Sequence, residues 1–327
     1  MTKTCSNRMI KAMKEKHTQT LLMMSILLVF VFVFVRMMVQ VCCTGSECIK
    51  IKITRWEGRL GNNISQLFNA IQISLYYACN ISIPNHNLFD TSLISRLVTN
   101  SFDSEKFVDI NLQKQLSGNE LKGDFYFDLY KYDKRVFEYN IQQTVLILKE
   151  SFKIRQDKTC DLGENHVVLH IRGGDIFSKN PHGDYINPPI YYFKTILDSN
   201  NYKRIILISE DRLNPTVGEL LKLYPNIEFK IQSLEEDIKL LLASKNVIMS
   251  FGTFVPRLLT LSNRIEKMYK PSYAGKTFTE EQLGINLLTK LGIEVHDFEL
   301  SDYFNKQSPW KNNELQRDLL INYLPST

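Results

Sequence analysis

From residue 166 onward the apolar and polar positions fall into a repeating order. Strand-like VVLHI (167–171) precedes a helix predicted from Pro189 to Asp198, and RIILI (204–208) precedes one around Val217–Tyr224. IEFKI (227–231) and NVIMS (246–250) are followed by helical patterns around Glu235–Ala243 and Phe254–Leu261. Short, nearly continuous apolar runs suit strands covered on both faces. Their alternation with helices of about ten residues describes a parallel sheet with crossover helices. Upstream, a strand-like stretch over Ile49–Trp56 meets Gly58-Arg-Leu-Gly61. A helix then carries Ile64, Leu67, Phe68, Ile71, Leu75 and Ala78 at helical spacing. Residues 84–160 show no regular pattern, and the chain has neither an internal repeat nor a low-complexity run. An α/β fold is predicted, with ligands expected beyond the carboxyl ends of its strands.

The N-terminus obeys a different pattern. Leu21 to Val35 is uncharged, and apolar character resumes past Arg36 as far as Cys43. Such a helix would be about 34 Å long, enough for a hydrocarbon core of roughly 30 Å. The basic leader before it predicts a cytosolic N-terminus, hence a single-pass type II anchor with the rest of the chain lumenal. A cleaved signal peptide is the alternative. The 20-residue leader, the length of the apolar segment and the lack of an A-x-A-like site all oppose it.

Charge sharpens this picture. The net charge is +5 over 327 residues, but residues 1–36 hold six basic side chains and one acid. The remainder carries 34 of each sign and is neutral, so nucleic acid is not an expected partner. A hydrophobic fraction of 44% supports two domains and excludes a disordered chain. The expected divisions are a cytosolic tail (1–20), the anchor (21–43), a short stem (44–48), a first domain (49–160), a second (161–300) and a C-terminal helical return onto the first domain (301–327). Cys48, Cys79 and Cys160 allow one lumenal disulfide without selecting it, and no C-x-x-C suggests zinc. Asn63 and Asn80 head N-x-S sequons.

Four segments carry candidate chemistry. Gly58–Gln66 places two glycines before a helix, which permits close backbone approach to a ligand or simply a tight turn. His170-Ile-Arg-Gly-Gly-Asp175 follows a buried strand. There Arg172 offers a planar, permanent cation for a phosphate, and Asp175 can orient it or accept a proton. Ser209-Glu-Asp211 ends the next strand, where helix capping is an equally ordinary use. Asp237 through Phe254 runs helix, strand, then Ser250-x-Gly-Thr253 at a helix opening.

Together, in order and spacing, these segments resemble the family 11 glycosyltransferases, the α-1,2-fucosyltransferases, over roughly residues 50–270. Gly58–Gln66 is similar to their G-x-L-G-N-Q-x-x-Q, and Gly123–Phe127 with Tyr132 to G-Y-F-Q-S-x-x-Y-F. His170–Asp175 resembles H-x-R-R-x-D, Ser209–Asp211 resembles S-D-D, and 237–254 resembles the family's closing motif. The resemblance implies a GT-B architecture of two Rossmann-like domains, the first on the acceptor side and the second holding GDP-fucose. It implies inverting transfer of fucose to the 2-hydroxyl of a galactoside on a glycan, with no metal or other cofactor. The chain's lack of a D-x-D pair agrees.

Carried over, Arg172 binds the diphosphate and stabilises departing GDP, His170 supports that site, and Asp237 lies near the guanine. Ser250 and Thr253 contact phosphate, Gly61 and Asn62 line the donor cleft, and Gln66 falls on its acceptor side; apart from the resemblance, the His182–Tyr185 loop, with Asp184 and Tyr185, is a candidate acceptor-side contact. Asp175 is the candidate general base. The expected setting is the Golgi membrane, and a homodimer is among the expected assemblies. Two departures stand out. Gly173 replaces the family's second arginine, and Asn63 places a sequon inside the expected cleft, where it is expected to stay unmodified while Asn80 is glycosylated. The alternatives are a GT-B transferase with another nucleotide sugar, a peptide O-fucosyltransferase, and a non-catalytic glycan-binding protein.

Overall fold

The computed structural model describes Met23 and residues 50–101, 120–123, 125, 126, 136, 138–154, 162–273 and 283–325. The expected tail, stem and membrane segment lie outside the described residues, Met23 apart, as do Cys48 and Cys160. Among the described residues no helix is long and apolar enough to cross a membrane.

The first half is built on a parallel sheet of β1 (Lys50–Ile53), β2 (Asn80–Ser82) and β3 (Glu120–Gly123), with β1 in the middle. Helix α1 (Leu60–Tyr77) joins β1 to β2 and is buried almost all round. Such burial needs cover on every side, and β1, α3 (Ile141–Ser151) and α7 (Phe254–Leu259) supply much of it. Helix α2 (Thr91–Asn100) starts at Asp90, whose carboxylate accepts the Leu93 N–H.

The second half is a six-stranded, wholly parallel sheet. Its strands are β4 (His166–His170), β5 (Arg204–Ile208), β6 (Ile227–Lys230), β7 (Asn246–Met249), β8 (Lys267–Ser272) and β9 (Glu294–Glu299). They lie in the order β6-β5-β4-β7-β8-β9. The chain winds outward from β4 through β5 to β6, then crosses back to place β7 on β4's other side. That reversal is the switch point of a doubly wound, Rossmann-like sheet, where the crossovers leave on opposite faces and open a crevice.

Both faces of this sheet are covered. Val168, Ile206, Val247 and Met249 join one hydrophobic cluster with α1 and β1, while Val167, Leu169, Ile205, Leu207 and Ile248 join another. The continuous apolar runs in the sequence reflect this double burial. Helix starts are set locally: Asn214 caps α5 (Pro215–Leu223), and Ser233 and Glu236 form a capping box on α6 (Leu234–Ala243). Helix α4 (Ile190–Ser199) begins after Pro189.

Of the five strand-like stretches in the sequence, the four after residue 166 fall within a residue of their observed limits, while 49–56 holds only the four-residue β1. The sequence pattern shows no sign of β2, β8, β9, α8 (Ile285–Lys290) or the elements between 84 and 160, and α7 is only six residues long. The C-terminal return requires a correction. Helices α9 (Ser301–Gln307) and α10 (Glu314–Asn322) pack on the second half, not the first. Tyr303, Leu320 and Tyr323 complete the apolar cluster on the face carrying Val167 and Leu169. The buried Trp310 indole donates to the Ile176 carbonyl at 2.7 Å, and the Tyr303 hydroxyl donates to that of Asn187 at 2.9 Å. Burial of these aromatic and aliphatic side chains against that sheet face is what holds the return there.

Candidate functional site

The chain emerging from β4 at the switch point is Ile171-Arg172-Gly173-Gly174-Asp175. Its backbone is clamped from two sides. The Ser250 hydroxyl, at the end of β7, accepts the Arg172 N–H at 2.9 Å, and the Asn214 side-chain amide donates to the Arg172 carbonyl at 3.1 Å. The Ser250 N–H in turn donates to the His170 carbonyl at 3.0 Å. These bonds extend the β4–β7 pairing by one step and fix where Arg172 points.

Its guanidinium lies over the Tyr185 ring, 4.4 Å from the centroid, a cation–π arrangement. On another side is Gly252, where a Cβ would stand 3.0 Å from Nη1. Nη2 donates to Asp175 at 3.3 Å, and the side chain is 15% exposed. Nε is buried and has no hydrogen-bond partner. A buried donor left unpaired carries a desolvation cost, which an incoming acceptor would relieve.

The neighbouring strand ends complete the surroundings. Asp211, after β5, accepts the Gly174 N–H at 2.9 Å and the Leu213 N–H at 2.8 Å, so its carboxylate is fixed. From the first half, Arg59 reaches over this turn and pairs with Glu210, and with Asp175 at 3.2 Å. Beside it Asn62 Oδ1 accepts from the Thr253 hydroxyl at 2.6 Å and from the Tyr126 hydroxyl at 2.8 Å. The two halves therefore meet at the switch point, and Gly61 lets them. A Cβ there would lie 2.6 Å from the backbone nitrogen of Phe254.

Electrostatics separates the cations from the neutral groups. His170 is held down at about 4 by burial first and by Arg172 second, so it is neutral at physiological pH. The permanent cations at this turn are therefore Arg172 and Arg59. Asp237, in the first turn of α6, is pushed up to about 6, chiefly by burial, with Glu236 and Glu210 adding to the effect. Its Oδ1 is buried without a hydrogen-bond partner. Tyr126 is pushed up to about 12 by burial and remains a hydroxyl donor.

The structure brings Asn62, Gly61, His170, Arg172, Asp175, Tyr185, Ser250 and Thr253 together. Several of them do something other than expected. Ser250 is fully buried and spends its hydroxyl on the Arg172 backbone. Tyr185 carries Arg172 on its ring face. Gly61 faces backbone at Thr253 and Phe254. Asp175 has one carboxylate oxygen shared between two guanidinium groups, which makes it a holder of cations. The expected anion-binding helix opening at Thr253 belongs to a six-residue helix, and the Thr253 hydroxyl is given to Asn62.

Gln66 is fully buried and ties the 55–57 loop to α1, accepting the Glu57 N–H at 2.9 Å and donating to Arg55 at 3.0 Å. Asp184 lies in the 182–185 turn, which the Trp310 N–H anchors through Gly183 at 2.8 Å. Sequence reasoning missed Arg59 and Tyr126. Each lay within a quoted motif, but nothing local shows that α1 and the 125–126 segment reach the second sheet.

The sequon residues differ sharply. Asn63 is 6% exposed, and its amide donates to the Glu57 carbonyl at 3.0 Å while its oxygen faces His86 at 3.2 Å. Asn80 is exposed on β2 beside a cavity of about 510 Å³ that Lys50, Ser95, Arg96 and Thr99 also line. Among the described residues no cluster of His, Cys, Asp and Glu could hold a metal ion.

No protein-family model matches the chain. No curated protein matches it either. Among solved structures, POFUT1 in its apo form aligns over 77% of this chain and 98% of its own, with a TM-score of 0.38 and 9% identity. POFUT1 in complex with GDP-fucose aligns over 67% and 94%, with a TM-score of 0.36 and 11% identity. E. coli ADP-heptose LPS heptosyltransferase II aligns over 84% and 98%, with a TM-score of 0.36 and 11% identity. At scores this low the class of the protein, a two-sheet parallel α/β protein with a Rossmann-like second half, rests on its own strand order and register.

Proposed function

We propose that this protein is a nucleotide-sugar glycosyltransferase that uses GDP-fucose to fucosylate a galactoside hydroxyl. One observation carries the reading. At the switch point of a doubly wound sheet stands an arginine whose backbone is clamped, whose guanidinium is stacked, and whose buried Nε has no partner. That site suits the diphosphate of a nucleotide sugar, and the motif resemblance to the α-1,2-fucosyltransferases supplies the donor and acceptor.

In this reading Arg172 neutralises the charge that grows on the leaving diphosphate, the largest task in such a transfer. Neutral His170 and Ser250 shape the turn that carries it. Asp237 offers a partly desolvated carboxylate to the paired N–H donors of guanine. Asp175 is occupied by two arginines, so its part is orientation, and proton removal from the acceptor hydroxyl falls to a carboxylate freed when donor binds or to solvent. The protein is proposed to act in the Golgi lumen on a type II anchor, without a metal.

The test is the full chain in detergent with labelled GDP-fucose against β-galactosides and folded peptide domains. Turnover on a galactoside that Arg172→Ala reduces about 10²–10³-fold supports the reading. Turnover only on peptide domains moves it to a peptide O-fucosyltransferase. Turnover only with another nucleotide sugar changes the donor, and silence with every donor leaves a glycan-binding protein. Near-normal transfer by Arg172→Ala overturns the site.

A further inference from the structure

We infer that Arg59 is the second cation of the donor-diphosphate site, delivered across the junction from the first half because position 173 has no side chain to supply it. The inference rests on the reading of the switch point as a nucleotide-sugar site.

Three observations carry it. First, the missing arginine has no room. A Cβ at Gly173 would stand 2.5 Å from Asp211 Oδ1 and 3.3 Å from the Ser209 hydroxyl. The Asp211 carboxylate cannot step aside without releasing the Gly174 and Leu213 N–H groups that it accepts. Second, Arg59 arrives at the same turn. Its Nη2 lies 3.2 Å from Asp175 Oδ1, and Arg172 Nη2 lies 3.3 Å from that same oxygen. The two guanidinium groups therefore approach within 6.5 Å, the sum of those distances. That spacing lets two forks share one anionic group, as they now share a carboxylate, and two adjacent phosphates present the same kind of target. Third, Arg59 is accessible and weakly held. It is 56% exposed, and its partners Asp175 and Glu210 are 55% and 41% exposed. Ion pairs so open to water hold loosely, so a diphosphate can take the arginine from them.

The arrangement also ties donor binding to the junction. Arg59 precedes α1, and Arg172 follows β4. An anion held by both would clasp the two halves from one side while Asn62 and Thr253 hold them from another.

The experiment is calorimetric titration of the full chain in detergent with guanosine, GMP and GDP, for wild type and Arg59→Ala. The expected result is a loss of at least tenfold in GDP affinity with guanosine affinity unchanged, because only the phosphates meet Arg59. Equal weakening of guanosine and GDP would show a merely structural contact and overturn the inference. So would GDP affinity within twofold of wild type. Should Arg59→Ala fold poorly, Arg59→Gln is read in the same way. A wild type that binds GDP while Arg59→Ala is indifferent sinks Arg59 alone. A wild type that binds no nucleoside diphosphate overturns the function reading, and this inference with it.

Discussion

Gly61→Ala tests whether the two halves must meet at backbone distance for the site to exist. The added methyl would lie 2.6 Å from the Phe254 nitrogen and from the Thr253 carbonyl carbon, and 2.7 Å from the Phe254 Cα. All three are main-chain atoms, so no rotamer change relieves the overlap. To regain a 3.4 Å contact, α1 and α7 must separate by about 0.8 Å. Overpacking of this kind costs roughly 1–3 kcal/mol, against which alanine's better helix propensity returns up to about 1 kcal/mol. A net loss of about 1–2 kcal/mol lowers Tm by about 1.5–3 °C in a chain of 327 residues. A matched control lies in α5, where Gly218 has nothing within 4 Å of its added methyl. Gly218→Ala should therefore raise Tm by the propensity gain alone. Thermal unfolding followed by circular dichroism reads both variants. Because Asn62 adjoins Gly61 and bonds Thr253 at 2.6 Å, the same shift should lower fucosyl transfer by up to about 10²-fold. If Gly61→Ala behaves like Gly218→Ala in Tm and keeps its turnover, the close approach is wrong.

Three further outcomes are expected. Burial of neutral His170 contributes stability that is complete above its unfolded value of 6.5 and is lost as pH falls to about 4, a change of about 3 kcal/mol. Urea midpoints across that range should fall steeply for wild type and less for His170→Gln, and an unchanged slope in the variant would assign the effect elsewhere. With Asp237 raised to about 6, its carboxylate is lost below that pH, so guanosine affinity should drop about tenfold per unit from pH 6 downward. Asp237→Asn should flatten that profile, and a profile unaltered by the substitution would remove Asp237 from the base site. Glycan mass mapping should find Asn80 occupied and Asn63 bare, since Asn63 is buried with both amide atoms engaged; a glycan on Asn63 would be incompatible with this packing.

The sequence by itself determined the local facts about this protein. Four strands and the helices after them were legible because a strand buried on both faces leaves an unbroken apolar run, and because Asn214 and Ser233 cap their helices within a few residues. The Arg172 turn was legible because a polar cluster following such a strand must emerge at a carboxyl end. Only the tertiary structure decided the rest. The strand order that makes β4 and β7 neighbours, and so turns one strand end into a switch point, depends on pairings some eighty residues apart. Arg59 and Tyr126 meet the second sheet across still longer separations, and no periodicity encodes that. Gly173 reads in sequence as a missing cation. In the fold it is a position closed by Asp211, with an arginine from the other half already at hand. Local pattern follows from the burial of each element alone, whereas the site forms only where distant elements exclude water together.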